Sequence, residues 1–142
     1  PPGRIAEALD PLRAADPMLC EMVADQVGSP TPAGHIADAT AAILARPVQG
    51  SGLWHLTTAG QASWHGFAEA IVQGAFERGL LARVPRVVPT ATADYPTPPA
   101  RPAYSVLDNA RLARDFGLAA PDWRDGLARV LDELAQAGAP RP

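Results

Sequence analysis

Two loops hold the residue types best suited to chemistry. The first, Tyr95-Pro96-Thr97-Pro98-Pro99-Ala100-Arg101-Pro102-Ala103-Tyr104-Ser105, stiffens the backbone with proline around one guanidinium, whose fork matches phosphate oxygens bidentately. The second, Asp25-Gln26-Val27-Gly28-Ser29-Pro30-Thr31, leads into a helix N-terminus, where free amides and the positive dipole end suit an anion. Together they point to phosphate or nucleotide binding. The competing reading pairs Arg101 with a surface carboxylate and lets the prolines trim an edge strand.

Other reactive side chains lack the partners that chemistry would need. His35, His55 and His65 share no metal-ligand spacing, and the lone Cys20 reads as a small core residue. Ser51, Ser63 and Ser105 sit in no Gly-x-Ser-x-Gly elbow. Asp108, Asp115, Asp122 and Asp125 suit helix caps and first turns. Every basic residue is arginine, so Schiff-base chemistry, a phosphate-loop lysine and a Tyr-x-x-x-Lys pair with Tyr95 or Tyr104 are all excluded. Gly50 and Gly52 are followed by His55 where a third glycine would complete a Gly-x-Gly-x-x-Gly turn, so a full dinucleotide-binding unit is missing.

Local patterns predict the elements that position these loops. Leu19 to Val27 suits a short strand, and Thr31 suits the N-cap of a helix running to about Arg46 with an apolar stripe of Ile36, Thr40, Ile43 and Leu44. Leu53 to Thr57 reads as a second strand. Ser63 then caps a helix that presents Phe67, Ile71 and Ala75 and ends near Gly79. Between Pro85 and Pro102 the prolines exclude helix and central strand and predict an extended loop. Tyr104 to Leu107 reads as an edge strand, and Asn109 as the cap of a helix from Ala110 to Phe116 closed by Gly117. The last helix starts at Asp122 and carries Trp123, Leu127, Val130, Leu131 and Leu134 on one face.

With 142 residues, 47% hydrophobic and 19% charged, the chain fits one domain. Residues 1–18 are expected to form a ragged edge with a helical patch at Ile5 to Leu9, 19–136 the binding domain, and 137–142 a frayed tail. The net charge of -3 leaves no basic field for nucleic acid, and no apolar run is long enough to span a membrane. A cytoplasmic protein is the expectation.

In order along the chain, Asp25-Gln26-x-Gly28-Ser29-Pro30-Thr31, Trp54-His55-Leu56, Ser63-Trp64-x-x-Phe67-Ala68, Tyr95-Pro96-Thr97-Pro98, Arg101-Pro102-x-x-Ser105-x-Leu107-Asp108 and Pro121-Asp122-Trp123-Arg124 resemble the dTDP-4-dehydrorhamnose reductase family of extended short-chain dehydrogenases/reductases. The resemblance runs from about Val23 to Leu134. It implies an α/β fold, the C-terminal part of a Rossmann-like enzyme, with short strands alternating with helices and the cofactor-binding half absent. It further implies a substrate-binding fragment of an NADPH-dependent enzyme of dTDP-L-rhamnose and polysaccharide biosynthesis. Such a fragment would be inactive alone, without catalytic residues or bound NADPH. A non-catalytic sugar-nucleotide-binding or regulatory module of the same superfamily is the alternative.

By the same resemblance Gln26, Ser29, Pro30, Thr31, Tyr95, Arg101 and Ser105 would line the dTDP-sugar site. Some members hold magnesium at a dimer contact through acidic residues. Glu133 matches one of them, but Gly34 stands where the second falls, and this departure argues against the ion. Self-association through the truncated face, as a homodimer or otherwise, is expected.

Overall fold

The computed structural model describes residues 19–46, 51–94 and 100–138; the expected patch Ile5–Leu9 and Tyr95 lie outside them. The elements are β1 (Leu19–Val23), β2 (Val27–Gly28), α1 (Ala33–Leu44), β3 (Ala62–Ser63), α2 (Trp64–Glu77), β4 (Arg86–Thr90), a 3₁₀ turn (Thr92–Asp94), α3 (Ala110–Phe116) and α4 (Trp123–Gly138). β1 and β4 pair in parallel from Leu19 opposite Arg86 to Val23 opposite Thr90, and β2 pairs antiparallel with β3. The long connection through α1 and α2 supplies the crossover that a parallel pair requires. This is the expected α/β arrangement of short strands and helices.

The core lies where α2 meets α4. Val72 and Ala75 of α2, Leu81 beyond it, and Trp123, Leu127 and Leu131 of α4 are buried together, with Phe67, Ile71 and Leu134 packed around them. Phe67 meets Trp123 edge to face at 5.8 Å between centroids, a favoured aromatic geometry. Gly74 permits the close approach of the two helices, because a Cβ there would stand 2.7 Å from Leu131 Cδ1. Locally encoded ends agree with expectation. Ser63 Oγ accepts the Gly66 amide at 3.1 Å, Asp122 Oδ1 accepts the Arg124 amide at 2.8 Å, and Gly117 closes α3 at φ 63°.

Several expectations are corrected by contacts remote in sequence. The first strand ends at Val23, not Val27, because Asp25 and Gln26 turn their side chains to Thr92 before pairing resumes in β2. Thr31 does not cap α1. Its hydroxyl donates to Ser29 O at 2.9 Å, and Pro32 takes the N-cap position without a side-chain bond. Of the stripe expected on α1, Ile36 and Leu44 are exposed, and Ala39 is the buried residue instead.

Residues 53–57 form no strand: Asn109 holds them with its side-chain amide, accepting the Thr57 amide and donating to Thr57 O, each at 3.0 Å. Asn109 is thereby drawn away from α3, and Asp108 Oδ1 accepts the Ala110 amide in its place. The proline-rich stretch contains β4, with Pro89 opposite Met22, which an edge strand tolerates. Tyr104 to Leu107 is reduced to one parallel bridge between Tyr104 and Val27. α4 continues to Gly138, two residues into the expected tail.

Candidate functional site

The Gln26 to Thr31 turn is a junction rather than a free loop. Ser29 Oγ donates to Gly60 O at 2.9 Å, while Thr31 Oγ1 accepts the amide of Thr58 at 3.1 Å. The buried Thr58 returns its hydroxyl to Pro30 O at 2.8 Å. Gln26 is also buried, and its Nε2 donates to Thr92 Oγ1 at 3.0 Å. Gln26, Ser29 and Thr31 thus each commit a side-chain donor within the protein, which fixes the turn's backbone ahead of α1.

The downstream end of the Arg101 loop is held against this junction. Val27 N donates to Ala103 O at 2.8 Å and Ser105 N to Val27 O at 2.9 Å. Ser105 Oγ also donates to Val27 O, and a Cβ on Gly28 would come within 3.0 Å of that hydroxyl. The two expected loops are therefore in contact. Arg101 is exposed and makes no hydrogen bond or ion pair with another described residue. Tyr104, next to Ser105, donates its hydroxyl to Gln61 Oε1 at 3.0 Å.

A cleft of about 440 Å³ opens at the carboxyl ends of β1 and β4, lined by Ala24, Asp25, Pro89, Thr90, Ala91 and Asp94. Ligands favour such strand ends, yet two carboxylates disfavour a phosphate here, so the cationic side of the junction is the better anion surface. The hydroxyl of Thr92 beside Asp25 holds that carboxyl below its usual range, aided by the Thr92 amide and opposed by burial.

Elsewhere, Asp115 accepts Trp54 Nε1 at 2.9 Å. This bond and the Arg114 guanidinium lower its pKa. Thr58 and Thr92 organise the junction, and Asn109 holds Thr57; sequence reasoning missed the two threonines and read Asn109 only as a helix cap. A threonine or asparagine carries no periodic signal to mark it.

Among the described residues no three His, Cys, Asp or Glu side chains converge as metal ligands. Glu133 faces a guanidinium. Arg129 donates Nε to Glu133 Oε1 at 3.1 Å and Nη1 to Asp38 Oδ2 at 3.0 Å, and its Nη2 lies 3.9 Å from where a Cβ on Gly34 would stand. One arginine thus joins α4 to α1 over the position of Gly34. Asp38 and then Glu133 raise its pKa further, keeping it charged.

The chain spans about two-fifths of the length of the curated relatives it matches. It is 48% identical over 123 residues to a dTDP-4-dehydrorhamnose reductase of Burkholderia thailandensis, covering 80% of this chain and 41% of the relative. It is 34% identical over 116 residues to the Escherichia coli protein of that name, covering 80% and 38%. A crystal structure of a dTDP-4-dehydrorhamnose reductase from Clostridium acetobutylicum aligns with TM-score 0.76 at 28% identity, over 92% of this chain and 43% of that one. The Bacillus anthracis reductase, solved in complex with NADP, aligns with TM-score 0.73 at 26% identity, over 91% and 42%. No described helix is long and apolar enough to cross a membrane. The model of the RmlD substrate binding domain matches residues 12–136, and the chain belongs to that family.

Proposed function

We propose that this chain is the dTDP-sugar-binding part of a dTDP-4-dehydrorhamnose reductase and carries out no reduction by itself. The observation that carries the reading is Arg101: an exposed guanidinium, unpaired among the described residues, on a segment fastened to the turn ahead of α1. The guanidinium would take the diphosphate, with Ser29, Pro30, Thr31 and Ser105 holding the surface beneath it and Gln26 behind. Tyr95 belongs to the same loop by sequence and joins this proposal on that ground alone. NADPH chemistry is assigned to the remainder of such an enzyme, since this chain has no lysine and no glycine-rich turn.

Calorimetric titration with dTDP tests the reading. Saturable 1:1 binding, with no NADPH oxidation when the dTDP-4-dehydro sugar is added, is expected. Absence of dTDP binding, or turnover that purifies with this chain, would sink it. A second reading, self-association through apolar surface, is favoured by the exposure of Leu44 at 77% and Leu53 at 72%.

The same reading places no magnesium at Glu133. Arg129 already supplies positive charge between Asp38 and Glu133, and its fixed cation would repel a second one. In a manganese titration followed by water-proton relaxation, the wild-type chain is expected to show no saturable site. Saturable binding abolished by Glu133→Gln would contradict this assignment.

A further inference from the structure

Tyr104 presents a ring that is both open and held in place. It is 61% exposed, against 49% for Trp64 and 43% for Phe76. Its backbone lies beside Val27 in a parallel bridge, between the bonds that Ala103 and Ser105 make to that residue. Ser63 of β3 pairs with Val27 from the other side, and Gln61, just ahead of β3, accepts the Tyr104 hydroxyl at 3.0 Å. The tyrosine side chain therefore reaches across β2, the strand that leads into Ser29, Pro30 and Thr31.

We infer that Tyr104 is the base-stacking residue of this site, its ring carrying the nucleobase of the nucleoside diphosphate whose phosphates Arg101 takes. The inference deepens the proposed dTDP-sugar site and rests on it. Stacking needs an aromatic face that is open to the ligand and a ring whose orientation is set beforehand. Tyr104 meets both conditions. The backbone bridge at one end and the Gln61 bond at the other restrict the ring, so little side-chain freedom is left for binding to remove. Its hydroxyl already has a partner, which leaves the π-face as the surface it offers. Arg101 stands three residues upstream, and three residues of chain span at most about 11 Å, so one short segment can serve both phosphate and base.

The variants Tyr104→Phe, which keeps the ring, and Tyr104→Leu, which keeps apolar bulk without an aromatic face, test the inference in the whole chain by two readouts. The first is titration with dTDP and, separately, with inorganic pyrophosphate, which has no base to stack. Tyr104→Leu is expected to bind dTDP about 5- to 30-fold more weakly than wild type, with pyrophosphate affinity unchanged. Tyr104→Phe should stay within about 3-fold of wild type for both, since it gives up only an exposed hydrogen bond. Equal dTDP affinity for Tyr104→Leu and wild type, an equal loss in Tyr104→Phe, or a matching loss for pyrophosphate would overturn the inference.

The second readout is the proton resonance spectrum of the ligand, which a merely structural role for Tyr104 would not move. The thymine ring proton and methyl group should shift upfield on binding to wild type and to Tyr104→Phe but not to Tyr104→Leu, with nuclear Overhauser contacts between the methyl group and the Tyr104 ring. The wild-type complex decides this by itself, even where Tyr104→Leu does not fold. Bound dTDP whose thymine signals stay in place would overturn the inference and leave the phosphate reading of Arg101 standing, whereas a wild-type chain that binds no dTDP would refute both.

Discussion

Arg101→Ala is expected to weaken dTDP binding by roughly 10- to 150-fold, the equivalent of a charge-assisted bond of about 1.5–3 kcal/mol. The magnitude depends on the backbone at Arg101 being ordered before the ligand arrives. Pro102 follows it directly, and Ala103 accepts the Val27 amide two residues on, so little backbone freedom is left for binding to remove. Because Arg101 makes no bond with another described residue, the substitution breaks no contact among them. Its effect should appear in affinity and not in stability. Arg101→Lys should recover only part of the loss, since an ammonium cannot form the two parallel bonds of the fork. Calorimetry on the three proteins, with circular dichroism to confirm folding, reads the result; equal affinities would assign Arg101 to solvent.

Leu131→Ala is expected to cost about 2–5 kcal/mol, a large share of the ~5–15 kcal/mol by which domains are stable. Leu131 is 1% exposed and lies against Gly74, where α2 gives up a side chain to let α4 approach. Truncation leaves a cavity that a rigid helix pair cannot close. Leu44→Ala, at a leucine 77% exposed on α1, should stay within about 0.5 kcal/mol. Urea unfolding of both variants checks the contrast. Similar midpoints would mean that the α2–α4 contact is not the core of this fold.

The contrast between these two leucines also shows what the amino-acid pattern encodes. The face of α4 was legible because Trp123, Leu127 and Leu131 recur at helical spacing and meet one partner. α1 carries apolar residues at similar spacing, yet Ile36 and Leu44 meet no such partner among the described residues, and periodicity cannot say which face has a neighbour. Helix ends governed by adjacent residues, at Ser63, Gly117 and Asp122, were readable for the same local reason.

Pairings across long separations were not readable. The bonds between Asp25 and Thr92 join residues 67 apart, and those between Asn109 and Thr57 join residues 52 apart. The second of these replaces an expected strand with side-chain bonds. For the site, Arg101 and the Gln26 to Thr31 turn were each visible as chemistry. Their contact through Val27, Ala103 and Ser105 required the fold.

The most direct test is an amide-resolved nuclear magnetic resonance titration of the chain with dTDP, since it locates the ligand as well as detecting it. Shifts that saturate together at Gly28, Ser29 and Thr31 and at Arg101, Ala103 and Ser105, with the phosphorus signals of dTDP moving in parallel, are the predicted result. Shifts confined to the cleft at Ala24, Asp25 and Thr90 would contradict the account, as would no saturable shift at all.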